Sequence, residues 1–174
     1  NNPEDLEAKA LLVCRRWQFN RKGIPITSHV GMDAILEQIF AKNQNHPAHH
    51  YAIHLWDYRN YKQALDSAAR LGQTAPGIAH MWHMPGHIYS KSKRYQDAVW
   101  QQQASARVDH KHMMKWFLLP DQIHNYAHNN EWLSRNYSHL GMVRASIDMA
   151  KSLMGNPSHP KLNTPRRGSA RKGT

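Results

Sequence analysis

The chain has one cysteine, Cys14, and no CxxC pair, so an internal disulfide framework is excluded. No apolar stretch approaches the roughly 18 residues that cross a bilayer, which excludes a helical membrane span. No run alternates apolar and polar residues with β-branched enrichment, so strands are not expected. Phosphate-cradling glycine loops and a convincing Ser-His-Asp order are also missing. Acids are scarce, with 12 Asp and Glu against 23 Lys and Arg. Five of the eleven net charges sit in the last fourteen residues, at Lys161, Arg166, Arg167, Arg171 and Lys172. The body is therefore only moderately basic. Charge without a recognised module is a thin basis for nucleic-acid binding. The chain opens on Asn1 with neither an initiator Met nor an apolar leader, which reads as a processed product or an excerpt.

Helical periodicity is what the chain has in abundance. Leu6, Ala10, Val13 and Trp17 recur at three and four, over a helix expected from about Glu4 to Phe19. Ser28 is placed to cap a second helix with the stripe Met32, Ile35, Ile39 and Phe40. Further helices are expected from Ala48, over 61–71 with Gly72 as a left-handed terminator, over 78–90, over 95–108, from Asp121 to about His139, and over 143–154. Residues 110–120 read as inserted material, and Gly141 as a turn. Pro85 has two readings: a bend inside the fifth helix, or that helix's displaced start. The class is all-α, with a helical domain over 1–155 and a loose basic tail over 156–174. Its hairpins are expected at about 4–42, 47–72, 78–109 and 121–154.

Two of these hairpins align without gaps. Tyr61 and Ala64 match Tyr95 and Ala98, 34 residues later. Trp82, Gly86, Tyr89, Tyr95 and Ala98 occupy the large, small, aromatic, aromatic and small positions of a helical hairpin. A third hairpin keeps Tyr137, Gly141 and Leu153 after an insertion. On these residues the chain resembles the tetratricopeptide repeat family, with its 34-residue unit of two antiparallel helices. That resemblance implies a right-handed α-solenoid with a concave groove lined by the first helix of each hairpin. The phrases HPAHHYAIHLWD, APGIAHMWHMPGHIYSKSKRYQDA and DQIHNYAHNNEW are further similar to histidine-rich bacterial members, some joined to a thioredoxin-like module. They imply a periplasmic or envelope context.

Nine of the fourteen histidines lie on those first helices. His50 and His54, His83 and His87, and His124 and His128 are each four apart, so each pair shares one helix face and can bind a single ion. Neutral imidazole suits copper, zinc or iron. These six residues are the first candidates for a mononuclear or dinuclear centre. His46, His49, His80 and Glu131 are further candidate ligands, the first two matching His80 and His83 one period earlier. Tyr51, Asp57, Tyr89, Asn125 and Tyr126 are candidate groove or supporting residues. Because clustered imidazoles repel when charged, binding is expected to weaken below about pH 6. The competing reading is a non-catalytic scaffold holding a peptide or protein segment in the groove. The sequence does not name a reaction. Met81, Met84, Met113 and Met114 read as core filling, and the tryptophans as hairpin packing.

Overall fold

The computed structural model describes residue 2 and residues 4–158. The basic tail from residue 159 onward, with the five cations named above, lies outside the described residues.

Those residues form an all-α fold. In chain order the helices are α1 (Leu6–Arg21), α2 (His29–Lys42), α3 (His49–Trp56), α4 (Leu65–Thr74), α5 (Ala79–Lys91), α6 (Tyr95–Trp116), α7 (His124–His139) and α8 (Val143–Met154). Short 3-10 turns at Tyr61–Ala64 and Pro120–Gln122 lead into α4 and α7. The first two helix starts have clear local causes. Asp5 Oδ1 accepts the Ala8 N–H at 3.0 Å and Ser28 Oγ accepts the Gly31 N–H at 2.9 Å, each satisfying a donor that no helical carbonyl can reach.

Consecutive helices pack on one another, and the odd-numbered helices also touch in series: α1 on α3, α3 on α5, α5 on α7. Helix α3 joins two cores. Its Ile53 enters a cluster with Leu71, Met84, Ile88 and Ala98, while Ala52 and Leu55 enter another with Val13, Leu36 and Ile39. Ile53, Leu71 and Ile88 are fully enclosed, and each contributes about 2 kcal/mol by leaving water. A smaller cluster of Val99, Leu133 and Tyr137 ties α6 to α7.

Several boundaries differ from those read in the sequence. Helix α6 runs on to Trp116, because nothing between Val108 and Trp116 breaks it. Most of the expected insertion is thus the end of one long helix, closed by Phe117 in the left-handed region at φ 53°. Pro85 lies inside α5 and not at its start, so His80 and His83 both belong to that helix. Gly72 is not a terminator. It lies within α4, where the Trp82 ring of α5 occupies the space of a side chain: an added Cβ would lie 2.3 Å from Trp82 Cε3. Gly141, at φ +72°, does make the turn into α8.

Gly72→Ala therefore forces α4 and α5 apart and is expected to cost about 1–3 kcal/mol. A thermal melt followed by circular dichroism should show a drop of several degrees. Gly77→Ala, which meets nothing within 4 Å, is the control. Equal midpoints for the two variants would contradict this packing.

Candidate metal centre

The contact of α5 with both α3 and α7 decides where the histidines go. On α3, His50 and His54 are one turn apart and their Nε2 atoms lie 3.0 Å from each other. On α5, the Nε2 atoms of His83 and His87 lie 2.8 Å apart. Each pair gains a third imidazole from the next odd-numbered helix. His80 of α5 joins His50 and His54, its ring centroid 5.0 Å from that of His50. His128 of α7 joins His83 and His87, with its centroid 4.9 Å from that of His83. Within each trio one ligand nitrogen per residue lies within 4.8 Å of the others. Two imidazole nitrogens on a tetrahedral ion with 2.0–2.1 Å bonds stand about 3.3 Å apart. The observed pairs are within about half an ångström of that spacing.

The neighbours of two trio histidines fix their tautomers. Asn129 Nδ2 donates to the Gln102 carbonyl at 2.8 Å, which turns Asn129 Oδ1 toward His83 Nδ1 at 3.0 Å. An oxygen that only accepts requires Nδ1 of His83 to carry the proton, leaving Nε2 with a bare lone pair. Gln102 Oε1 is a second acceptor on the same Nδ1, at 3.0 Å. His80 is held in the same manner. Asn125 Nδ2 donates to Asp109 Oδ2 at 2.6 Å, so Asn125 Oδ1 faces His80 Nδ1 at 3.2 Å and accepts from it. Such outer partners are what orient imidazoles in metal sites.

Both trios lie against tryptophan. Trp17 stacks on His54 with centroids 4.1 Å apart, and Trp132 meets His87 edge-on at 4.3 Å. Burial dominates the acid–base behaviour. It holds His50 down to about 4, with His80 adding to the effect. His54 is lowered to about 3, by burial and then by His50 and His80. Burial takes His83 to about 4 against the opposing hydrogen bond of Asn129, and takes His87 to about 2 with His83 and His128 contributing. His128 is lowered too, by burial and then by His124. These imidazoles are neutral at pH 7 and offer lone pairs without first losing a proton. In the folded chain His50, His54, His83 and His87 take up protons only well below pH 6, so at these four the expected weakening moves further into the acid range.

Above the trios lies a cavity of about 470 Å³, lined by five of the six histidines and, among others, by Trp17, Leu55, Asp57 and Trp132. His124 also lines it and stacks parallel on His128 at 5.7 Å, yet belongs to neither trio. It is the exposed first residue of α7, one turn outward from His128. His80 stands where His124 was expected.

Other candidates lie elsewhere. His46 is held by Glu7 and by the Ala48 N–H, both at 3.1 Å. His49 bonds Ser67 Oγ and the Gln44 carbonyl and stacks on Phe40, away from the trios. The cause is register. Seven residues separate His54 from Tyr61 but eight separate His87 from Tyr95, so the counterparts of His83 and His87 are His50 and His54. Glu131 pairs with Arg135. Asp57 reaches the cavity wall but is paired to Lys91 at 2.7 Å. Tyr51 packs against the core around Val13 and Leu36, and Tyr89 is buried beside Ile88. Tyr126 lines a separate surface cleft with Met149. Only Asn125 of that group holds a trio histidine, His80. Gln102 was not foreseen, although three successive glutamines, 101–103, on a helix that packs against α5 were a signal.

No protein-family model, curated protein or solved structure matches this chain. The trios rest on their own geometry.

In the unfolded chain His50, His54, His83 and His87 protonate near pH 6.5, and in the folded chain only at much lower pH. Acid therefore favours unfolding, with the penalty starting below 6.5 and growing down to the folded values. Between pH 7 and 5 the metal-free protein is expected to lose on the order of 1–2 kcal/mol per buried imidazole. Thermal melts across that range should fall steadily, and less steeply for His54→Gln/His87→Gln. A flat profile in the unsubstituted protein would contradict the burial of neutral histidines.

Proposed function

We propose that this chain is a tetratricopeptide-like α-solenoid whose groove holds two transition-metal ions, one in each histidine trio. The observation that carries the reading is repetition. Each trio takes an i, i+4 pair from one helix and a single histidine from the next odd-numbered helix. The pairs are 33 residues apart, His50 to His83 and His54 to His87. The single ligands His80 and His128 are 48 apart, the offset between the second and third hairpins. A site that recurs with the repeat is a property of the architecture. The series stops where the next pair would stand, since 48 residues after His83 and His87 come Glu131 and Arg135, which pair with each other.

Three neutral imidazoles without thiolate or carboxylate suit copper or zinc better than magnesium or calcium. An ion so held would act as a Lewis acid or, if copper, as an electron carrier. The chain's own residues supply the rest. Asn129 and Gln102 hold the His83 ring, Asn125 holds His80, and the two tryptophans restrict water at His54 and His87. The choice of metal sets whether the centre stores, transfers electrons or catalyses.

Protein purified without an affinity tag and loaded with copper or zinc is expected to retain two equivalents by elemental analysis. His83→Gln/His87→Gln should retain one. Less than a tenth of an equivalent in the unsubstituted protein, with no uptake on titration, would overturn the reading and favour a metal-free peptide scaffold.

A further inference from the structure

We propose that the cavity over the two histidine trios binds a small organic anion, a carboxylate carried on an apolar or aromatic body. The proposal deepens the two-metal reading, but its first support does not depend on an ion. Two guanidinium groups, Arg21 and Arg59, lie on the cavity wall, and among the described residues no carboxylate is within ion-pair distance of either. The one carboxylate on that wall, Asp57, is already neutralised by Lys91 at 2.7 Å. The wall therefore carries positive charge with no internal counter-charge.

The trios sharpen this imbalance. Histidine ligands are neutral, so two divalent ions would bring four further positive charges into a half-enclosed space with no acid to offset them. Buried charge without a partner is costly, and an incoming anion is the remaining source of compensation. Guanidinium groups bind a carboxylate through paired N–H donors. Arg21 is held beside the apolar wall, its guanidinium carbon 5.3 Å from the Trp17 ring centroid, while Trp17 itself stacks on His54. A ligand's charged head at Arg21 thus places its body along Trp17 and toward the first trio. Leu55, Ile26 and Trp132 continue that apolar surface. A cavity of about 470 Å³ is the size of a small-molecule site, and a bare inorganic anion would leave those walls uncovered.

The test uses the full chain in two states, stripped by chelation and loaded with cobalt(II) as a spectroscopic probe. 2-Naphthoate, its neutral counterpart 2-naphthalenemethanol and inorganic phosphate are titrated by calorimetry. In the stripped protein naphthoate is expected to bind at least tenfold tighter than the alcohol or phosphate. Arg21→Gln/Arg59→Gln, both exposed positions, should remove that advantage while keeping the wild-type circular dichroism. In the loaded protein naphthoate should bind tighter still and shift the cobalt visible bands. Equal binding of acid and alcohol, or an unchanged advantage in the double variant, overturns the proposal. Phosphate binding as tightly as naphthoate overturns the apolar-body assignment. Selective naphthoate binding by a protein that takes up no metal would sink the metal reading and leave the anion site standing. Cobalt uptake without naphthoate binding would do the reverse.

Discussion

Helix α5 has to lie against α3 and α7 at the same time, and most of the molecule follows from how it does so. Its outer side is fixed by close approach: Gly72 admits the Trp82 ring, and Gly86 admits the side chain of Gln102, whose Nε2 would lie 2.2 Å from an added Cβ. Its inner side then presents His80 toward α3 and His83 and His87 toward α7. One helix serves two clusters because His80 and His87 lie two turns, about 10 Å, apart along it. The glycine that lets α6 approach also lets Gln102 reach His83 at 3.0 Å, so packing and site geometry are set by the same contact.

Burying so many titratable rings is tolerable only if they stay neutral. Lost hydration and neighbouring imidazoles both oppose charge on these rings, and His87, where no hydrogen bond offsets them as that of Asn129 does for His83, is displaced furthest. The hydrogen bonds from His83 to Asn129 and from His80 to Asn125 recover some of the desolvation cost and select one tautomer. A cluster arranged in this way repels protons while keeping lone pairs directed inward. Neutral rings add no negative charge to a wall whose one carboxylate, Asp57, is already paired with Lys91, which links the histidine chemistry to the anion site proposed at Arg21 and Arg59.

The all-α class, the Ser28 cap and the Gly141 turn were legible in the sequence because each depends on local chemistry. So were the pairs His50/His54 and His83/His87, since spacing on one helix defines a shared face. The third histidine of each trio was harder. His124 and His128 have the same spacing as the true pairs, and only the contact between α5 and α7 separates the inward residue from the one at the lip. His80 sits one turn before His83, and the sequence cannot tell which neighbouring helix it meets. Gly72 carried the composition of a helix end, but tertiary packing against Trp82 gave it another use. Two tryptophans that read as ordinary packing, Trp17 and Trp132, lie against trio histidines. The one-residue difference between the hairpin turns moves the match of His83 from His49 to His50, sets His54 opposite His87, and leaves Pro47 opposite His80.

The most direct measurement is anomalous diffraction at the metal edge from crystals of copper- or zinc-loaded protein. Two separate peaks are expected, one among the Nε2 atoms of His50 and His54 with a nitrogen of His80, the other among His83, His87 and His128. Nitrogen distances should be about 2.0–2.1 Å. A single peak shared by all six rings would contradict the two-site account, as would peaks at His46, His49 or His124 with the trios empty.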